Sequence, residues 1–150
     1  MLPWVYKGWG RGQGRLTVAG WTKRQTLGTV LVVDDDVGVR AVLTQFLTAA
    51  GYAVRVASSG REALALLGAG LKPDLFVLDL MMPEMGGLEL IPLLRANPGW
   101  AGIPVVVLTG TKGFSATQLQ VDAVLHKPFN SVDVQAAVFL ARATKREPAA

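Results

Sequence analysis

From Thr29 onward the chain alternates short apolar runs with segments whose apolar residues recur every three or four positions. A run that is apolar throughout suits a strand buried on both faces, whereas the three-to-four spacing suits a helix that buries one face. "TVLVVD" (29–34) reads as a strand, and "VGVRAVLTQFLTAAG" (37–51) then sets Val39, Val42, Leu43, Phe46 and Leu47 at helical spacing before Gly51 stops it. "AVRVAS" (53–58) alternates as a strand, and "GREALALLGAG" (60–70) predicts a helix closed by glycine. "DLFVLD" (74–79) is a continuous apolar strand that ends in aspartate. "GGLELIPLLRAN" (86–97) is helical, although Pro92 falls past the first turn, where it removes a backbone hydrogen bond and is expected to bend the helix. "IPVVVLT" (103–109) is the most strongly strand-like run; a weak helical stretch at 114–120, the strand "DAVLHK" (122–127) and the helix "SVDVQAAVFLARATK" (131–145) follow. The sum is five βα units.

Strands apolar on both faces, alternating with helices, predict an α/β fold with a five-stranded parallel sheet covered on each side. Right-handed crossovers and a ligand site beyond the carboxyl ends of the strands are general rules of this architecture. Every chemically suggestive residue sits at such an end: Asp34 and Asp35 after the first strand, Asp79 after the third, Thr109 after the fourth, Lys127 after the fifth. The run "LVVDDDVGVR" (31–40) crowds three carboxylates after a buried strand, where repulsion and partial burial oppose ionisation, so a positive partner is expected there.

Composition narrows the chemistry. With 150 residues, 51% of them hydrophobic, the chain suits one domain with a sizeable core. It has no cysteine and one histidine, His126, which excludes disulfides, thiolate metal sites and multi-histidine sites. Pro3, Lys7, Gly8 and Gly10 interrupt the start before an apolar segment forms, and no apolar run is long enough for a membrane span, so a cytoplasmic location is expected. The net charge of +4 does not point to nucleic acid. Residues 1–28 carry Lys7, Arg11, Arg15, Lys23 and Arg24 with no acid, whereas residues 29–150 carry 10 bases against 11 acids. The basicity belongs to the leader.

Four motifs, "VLVVDDD", "VLDLMMPEMGG", "VVVLTG" and "HKPF", each at the end of the appropriate strand, resemble the response-regulator receiver domain of two-component signalling over roughly residues 28–145. The resemblance implies a flavodoxin-like (βα)5 fold with strand order 2-1-3-4-5, which makes the first and third strands neighbours. It further implies that Asp35 and Asp79 bind Mg²⁺ or another divalent cation such as Mn²⁺ directly, that the Met81 backbone carbonyl adds a ligand, and that Asp34 acts mainly through water. Asp79 would accept a phosphoryl group from a sensor histidine kinase or histidine phosphotransfer protein. Lys127 and the Thr109 hydroxyl would meet the charge that develops, and the Lys127–Pro128 bond would be cis. Such a domain is a switch with slow autodephosphorylation, not a turnover enzyme, since Met81 offers no acid or amide to position an attacking water. A face for self-association on the fourth helix, fifth strand and fifth helix is also implied.

Simpler roles stand beside these. Asp36 is best read as a helix N-cap, a role open to Asp34 as well; Thr109 also suits a strand-ending turn, and Lys127 a solvated loop. The chain departs from the family pattern at Gly86-Gly87, where Asp-Gly is common, so a helix-start cap is missing. Val124 stands where many members carry an aromatic switch partner, and the short Thr109–Lys127 interval predicts a short or irregular fourth helix. These departures keep a second function in view, a degenerate receiver that binds partners without phosphorylation. A third, a haloacid-dehalogenase-like phosphatase, is weaker, because Gly38 occupies the Thr/Val position of its first-strand motif and no acidic pair follows the lysine. His126 should face away from Lys127 in a surface or packing role. Trp100 should lie at the rim opposite the pocket.

Three segments are expected: a basic Gly/Trp-rich extension (1–27), a receiver (28–145) and a tail (146–150). The extension holds three of the four tryptophans and could in principle stack on nucleic acid or meet an anionic membrane, but no binding motif is complete, and a flexible extension is the preferred reading.

Overall fold

The computed structural model describes residues 26–144, so the expectations for residues 1–25 and 145–150 lie outside the described residues. The elements are β1 (Thr29–Val33), α1 (Val37–Ala49), β2 (Ala53–Ala57), α2 (Gly60–Gly68), β3 (Leu75–Asp79), α3 (Gly87–Ala96), β4 (Val105–Thr109), α4 (Ala116–Leu119), β5 (Ala123–His126) and α5 (Ser131–Ala143). The five strands form one sheet in the order β2-β1-β3-β4-β5, every pairing parallel.

The two-residue period of a strand sorts the core into two layers. Val30, Val32, Leu75, Val77, Val106 and Leu108 face α1 and α5, where Leu43, Leu47, Val134 and Val138 meet them. Leu31, Val33, Phe76, Leu78, Val105 and Val107 face the other way, onto α2 and α3 through Ala63, Leu67, Leu90 and Leu94. All five residues of β3 and of β4 are buried, as central strands covered on both faces require.

Helix ends follow local chemistry. Asp36 caps α1, accepting the Gly38 and Val39 N–H groups at 2.7 and 3.2 Å, the role expected for the third acid of the run. Gly51, at φ +105°, turns the chain out of α1. Ser59 caps α2, and Asn130 with Asp133 forms a capping box at α5. At α3 the N-cap is Gly86, which has no side chain to accept a bond, but Glu89 Oε1 takes the Gly86 N–H at 2.9 Å, half of the same device. A side chain at 86 has no room: a Cβ there would lie 2.6 Å from Met82 N and 2.7 Å from Leu80 O. Helix α3 runs unbroken through Pro92. The fourth helix is a single turn of four residues, as the short interval predicted. Among the described residues no helix is long and apolar enough to cross a membrane.

Candidate functional site

In this order the chain leaves β1 for β2 on one side and continues through β3, β4 and β5 on the other, which opens a crevice beyond the carboxyl ends of β1 and β3. Register places Val33 beside Leu78, so the residues that follow on each strand emerge together. Asp34, Asp35 and Asp79 each offer a carboxylate oxygen within 4.8 Å of the others. Asp34 is 0% and Asp79 6% exposed, whereas Asp35 is open to solvent.

Lys127, the residue after β5, reaches across β4 into this cluster. Its Nζ donates to Asp34 Oδ2 at 3.0 Å and lies 3.4 Å from Asp79 Oδ2. Its backbone N–H donates to the Thr109 carbonyl at 2.8 Å, and the peptide to Pro128 is cis. Burial and the charge of Asp34 push the Asp79 carboxyl up to about 6, against the opposing pull of Lys127 and of the Met81 N–H. For Lys127, burial lowers the pKa, but the hydrogen bond and charge of Asp34, joined by Asp79, more than offset it and hold the ammonium above its ordinary value.

Thr109 closes β4, between the strands that carry Asp79 and Lys127. Its hydroxyl is 2% exposed with the rest of the residue; it accepts the Thr111 N–H at 3.0 Å and donates to the Thr111 carbonyl at 3.2 Å. The turn role is therefore observed, and the turn holds the hydroxyl at the strand end. The Met81 N–H stands 3.4 Å from Asp79 Oδ1, and the Met81 side chain is 61% exposed. The structure thus gathers Asp34, Asp35, Asp79 and Lys127 into one cluster, with Met81 and Thr109 at its margin.

The remaining expectations fall at the edges. Val124 is half-buried against the α2–α3 layer together with Phe114 and Leu119. His126 is exposed, and Trp100 packs before β4, at the end of the sheet away from the acids. One contributor escaped the sequence reading: Arg40 on α1 donates from Nη1 to the Asp34 carbonyl at 2.8 Å and so ties α1 to the corner that carries the acids. Its only signal was its place one turn into a helix that starts at the acidic run.

Fold and site together define a doubly wound α/β domain with an acidic pocket at the topological switch point. A family model described as "Response regulator receiver domain" matches residues 30–139. The chain belongs to this family and is a receiver domain of two-component signalling. It is 40% identical over 126 residues to response regulator MprA of Mycobacterium bovis strain BCG, covering 81% of this chain and 54% of that one. Against MprA of Mycolicibacterium vanbaalenii it is 42% identical over 104 residues, 67% of this chain and 44% of the relative. The chain therefore spans about half the length of the curated relatives it matches. Among solved structures, chemotaxis response regulator CheY4 of Vibrio cholerae superposes with a TM-score of 0.68 at 30% identity, covering 76% of this chain and 98% of that one. The receiver domain of Francisella response regulator 1452 does so with a TM-score of 0.68 at 28% identity, covering 79% and 99%.

Proposed function

We propose that this domain is a phosphoryl-accepting switch in which Asp79 takes a phosphoryl group from the phosphohistidine of a sensor histidine kinase or a histidine phosphotransfer protein. The observation that carries the proposal is the convergence of three strand ends: three carboxylates within 4.8 Å of one another and a lysine that bonds two of them. The donor set fits a hard divalent cation, Mg²⁺ or Mn²⁺, held by Asp34, Asp35, Asp79 and the Met81 backbone carbonyl, since oxygen ligands of negative charge suit such ions and one ammonium leaves the acids under-neutralised. When bound, that ion neutralises the carboxylates and the oxygens of the incoming phosphoryl group.

The chain's own residues account for the rest. An Asp79 carboxylate oxygen attacks phosphorus; the new P–O bond forms as the P–N bond breaks, and its electron pair stays on the donor's imidazole nitrogen. Lys127 already stands beside Asp79, and its ammonium would move its weaker bond from the carboxylate to a phosphoryl oxygen. Thr109 would release the 3.2 Å bond to the Thr111 carbonyl and donate to another. The product is an acyl phosphate that ends the reaction, so the domain switches once per phosphorylation and does not turn over substrate. Met81 carries no group that orients water, and autodephosphorylation is correspondingly slow. Output and self-association belong on the face of α4, β5 and α5, where Leu140 is 52% exposed beside His126 and Pro128. Family membership supports this function over the phosphatase, and the short α4 and Val124 bear on relay, not on acceptance.

Treatment with acetyl phosphate and Mg²⁺ followed by intact-mass measurement tests the proposal. One phosphoryl group is expected on the wild type and none on Asp79→Asn. A label that survives Asp79→Asn but disappears in Asp34→Asn would instead indicate hydrolase chemistry, and no label on the wild type would indicate a phosphorylation-independent module.

A further inference from the structure

The loop between β3 and α3 carries Met81, and it is braced from both sides. On the α3 side, Glu89 Oε1 accepts the Gly86 N–H at 2.9 Å and the Leu88 N–H donates to the Leu80 carbonyl at 3.2 Å. On the α2 side the brace is Gly60, the first residue of that helix, whose N–H donates to the Met85 carbonyl at 3.1 Å. Gly60 is buried, and its bare Cα faces Met85 at close range. A Cβ there would stand 2.6 Å from Met85 Cγ and 2.9 Å from both the sulfur and the carbonyl oxygen. The sulfur end can swing aside; the carbonyl oxygen moves only if the loop moves.

The contact continues without a gap to the acidic pocket. Gly86, the residue after Met85, lies against the peptide that joins Met81 to Met82, where a Cβ at 86 would be 2.6 Å from Met82 N and 3.2 Å from Met81 Cα. The carbonyl of that same peptide is the one offered to the cation. A displacement of the Met85–Gly86 peptide is therefore passed to the Met81 carbonyl, because backbone packed this closely has no free volume to absorb it. The loop does little to hold itself. Glu84 sits at φ +70°, a costly conformation for a residue with a side chain, and such a conformation persists only where the surroundings impose it. The pair of Glu84 with Arg61 is too exposed to supply that hold.

We propose that Gly60 is a positioning residue for the metal site: the start of α2, through Met85 and Gly86, sets where the Met81 carbonyl stands and thereby how tightly the pocket holds a divalent cation. The proposal rests on the metal site argued above and adds to it a residue outside the acidic pocket. Linkage makes the effect reciprocal, so a cation bound at the pocket tightens the first turn of α2.

Mg²⁺ titration of the full chain by calorimetry compares the wild type with Gly60→Ala and with Gly68→Ala, the same change at the far end of α2, where nothing lies within 4 Å of the new Cβ. Gly60→Ala is expected to raise the Mg²⁺ dissociation constant about tenfold and Gly68→Ala to leave it unchanged, each variant retaining a cooperative thermal transition in chelator. A glycine needed for packing alone would lower that transition and leave the affinity of the folded protein as it was. The reciprocal effect is read on the wild type and needs no variant: Mg²⁺ is expected to slow amide hydrogen exchange at Gly60 severalfold and to leave Gly68 unaffected. Equal affinity in the wild type and Gly60→Ala, or exchange at Gly60 that ignores Mg²⁺, would overturn the proposal and leave the metal site standing. A wild type that takes up no Mg²⁺ would overturn both.

Discussion

Lys127 Nζ and Asp34 Oδ2 lie 3.0 Å apart although the two residues are 93 positions apart in sequence. The bond spans the sheet from the end of β5 to the end of β1 and places one positive charge over two buried carboxylates. Replacing Lys127 by Met leaves Asp34 and Asp79 without that charge, so the metal-free protein should lose about 2 kcal/mol, less than for a fully enclosed pair because Lys127 is partly exposed. Saturating Mg²⁺ should recover much of the loss. Urea unfolding in chelator and in Mg²⁺ measures both, and equal losses in the two conditions would count against a shared cation site.

Asp79 gives the metal-free domain an unusual pH response. Its carboxyl is raised from 3.8 to about 6, so between these values the folded state holds a proton that the unfolded chain releases. The contribution is complete below 3.8 and is lost as pH rises through about 6, so stability falls over this window. The raised Lys127 contributes fully below 10.5 and is lost only as pH rises beyond it, which keeps it constant here. Asp79→Asn should therefore gain on the wild type by on the order of 1 kcal/mol between pH 4.5 and 7.5 in chelator. A difference that does not change with pH would contradict the burial and charge assigned to Asp79.

Gly86 and Gly110 should respond oppositely to alanine. At Gly86 the new Cβ would meet the backbone of Met82 and Leu80 at 2.6 and 2.7 Å, whereas nothing lies within 4 Å of one at Gly110. Gly86→Ala should cost about 1–3 kcal/mol and slow phosphorylation through the loop that carries Met81. Gly110→Ala should lie within about 1 kcal/mol of the wild type, on the stabilising side. Thermal unfolding of both variants checks this, and a neutral Gly86→Ala would show that the loop gives way.

Two ion pairs of similar length should differ widely in worth. Asp122 accepts the Val105 N–H at 2.8 Å and the Thr144 hydroxyl at 3.2 Å, and lies 3.7 Å from Arg95, whose Nη1 also donates to the carbonyls of Ala101 and Ile103. Its side chain is 4% exposed. Arg61 and Glu84 stand 3.6 Å apart with 72% and 74% of their side chains exposed. Asp122→Ala should destabilise by about 3 kcal/mol and Arg61→Ala by under about 0.5 kcal/mol. Comparable effects in urea unfolding would contradict the burial of the Arg95–Asp122 cluster.

The sequence displayed the features that depend on local pattern. The two-sided apolar runs of β3 and β4 marked strands buried on both faces, and the acids and lysine at strand ends marked the cluster, because a parallel sheet carries those ends to one edge. The four-residue α4 was visible in the short interval between Thr109 and Lys127. β4 begins at Val105, two residues later than expected, since Pro104 has no N–H for the ladder although its carbonyl accepts from Phe76. Contacts between distant segments left no such trace. Arg40 on the Asp34 carbonyl, the Arg95–Asp122 cluster and the contact of Gly60 with Met85 each depend on how helices sit on the sheet, which no spacing along the chain encodes.

Asp79 is the proposed phosphoryl acceptor, beside acids that would share its metal ion. Borohydride reduction after acetyl phosphate and Mg²⁺ treatment converts an acyl-phosphate aspartate to homoserine, which peptide mass spectrometry then locates. Homoserine at position 79, with positions 34 and 35 unchanged, is the predicted result; homoserine at 34 or 35, or none at 79 in protein that carries a phosphoryl group, would contradict it.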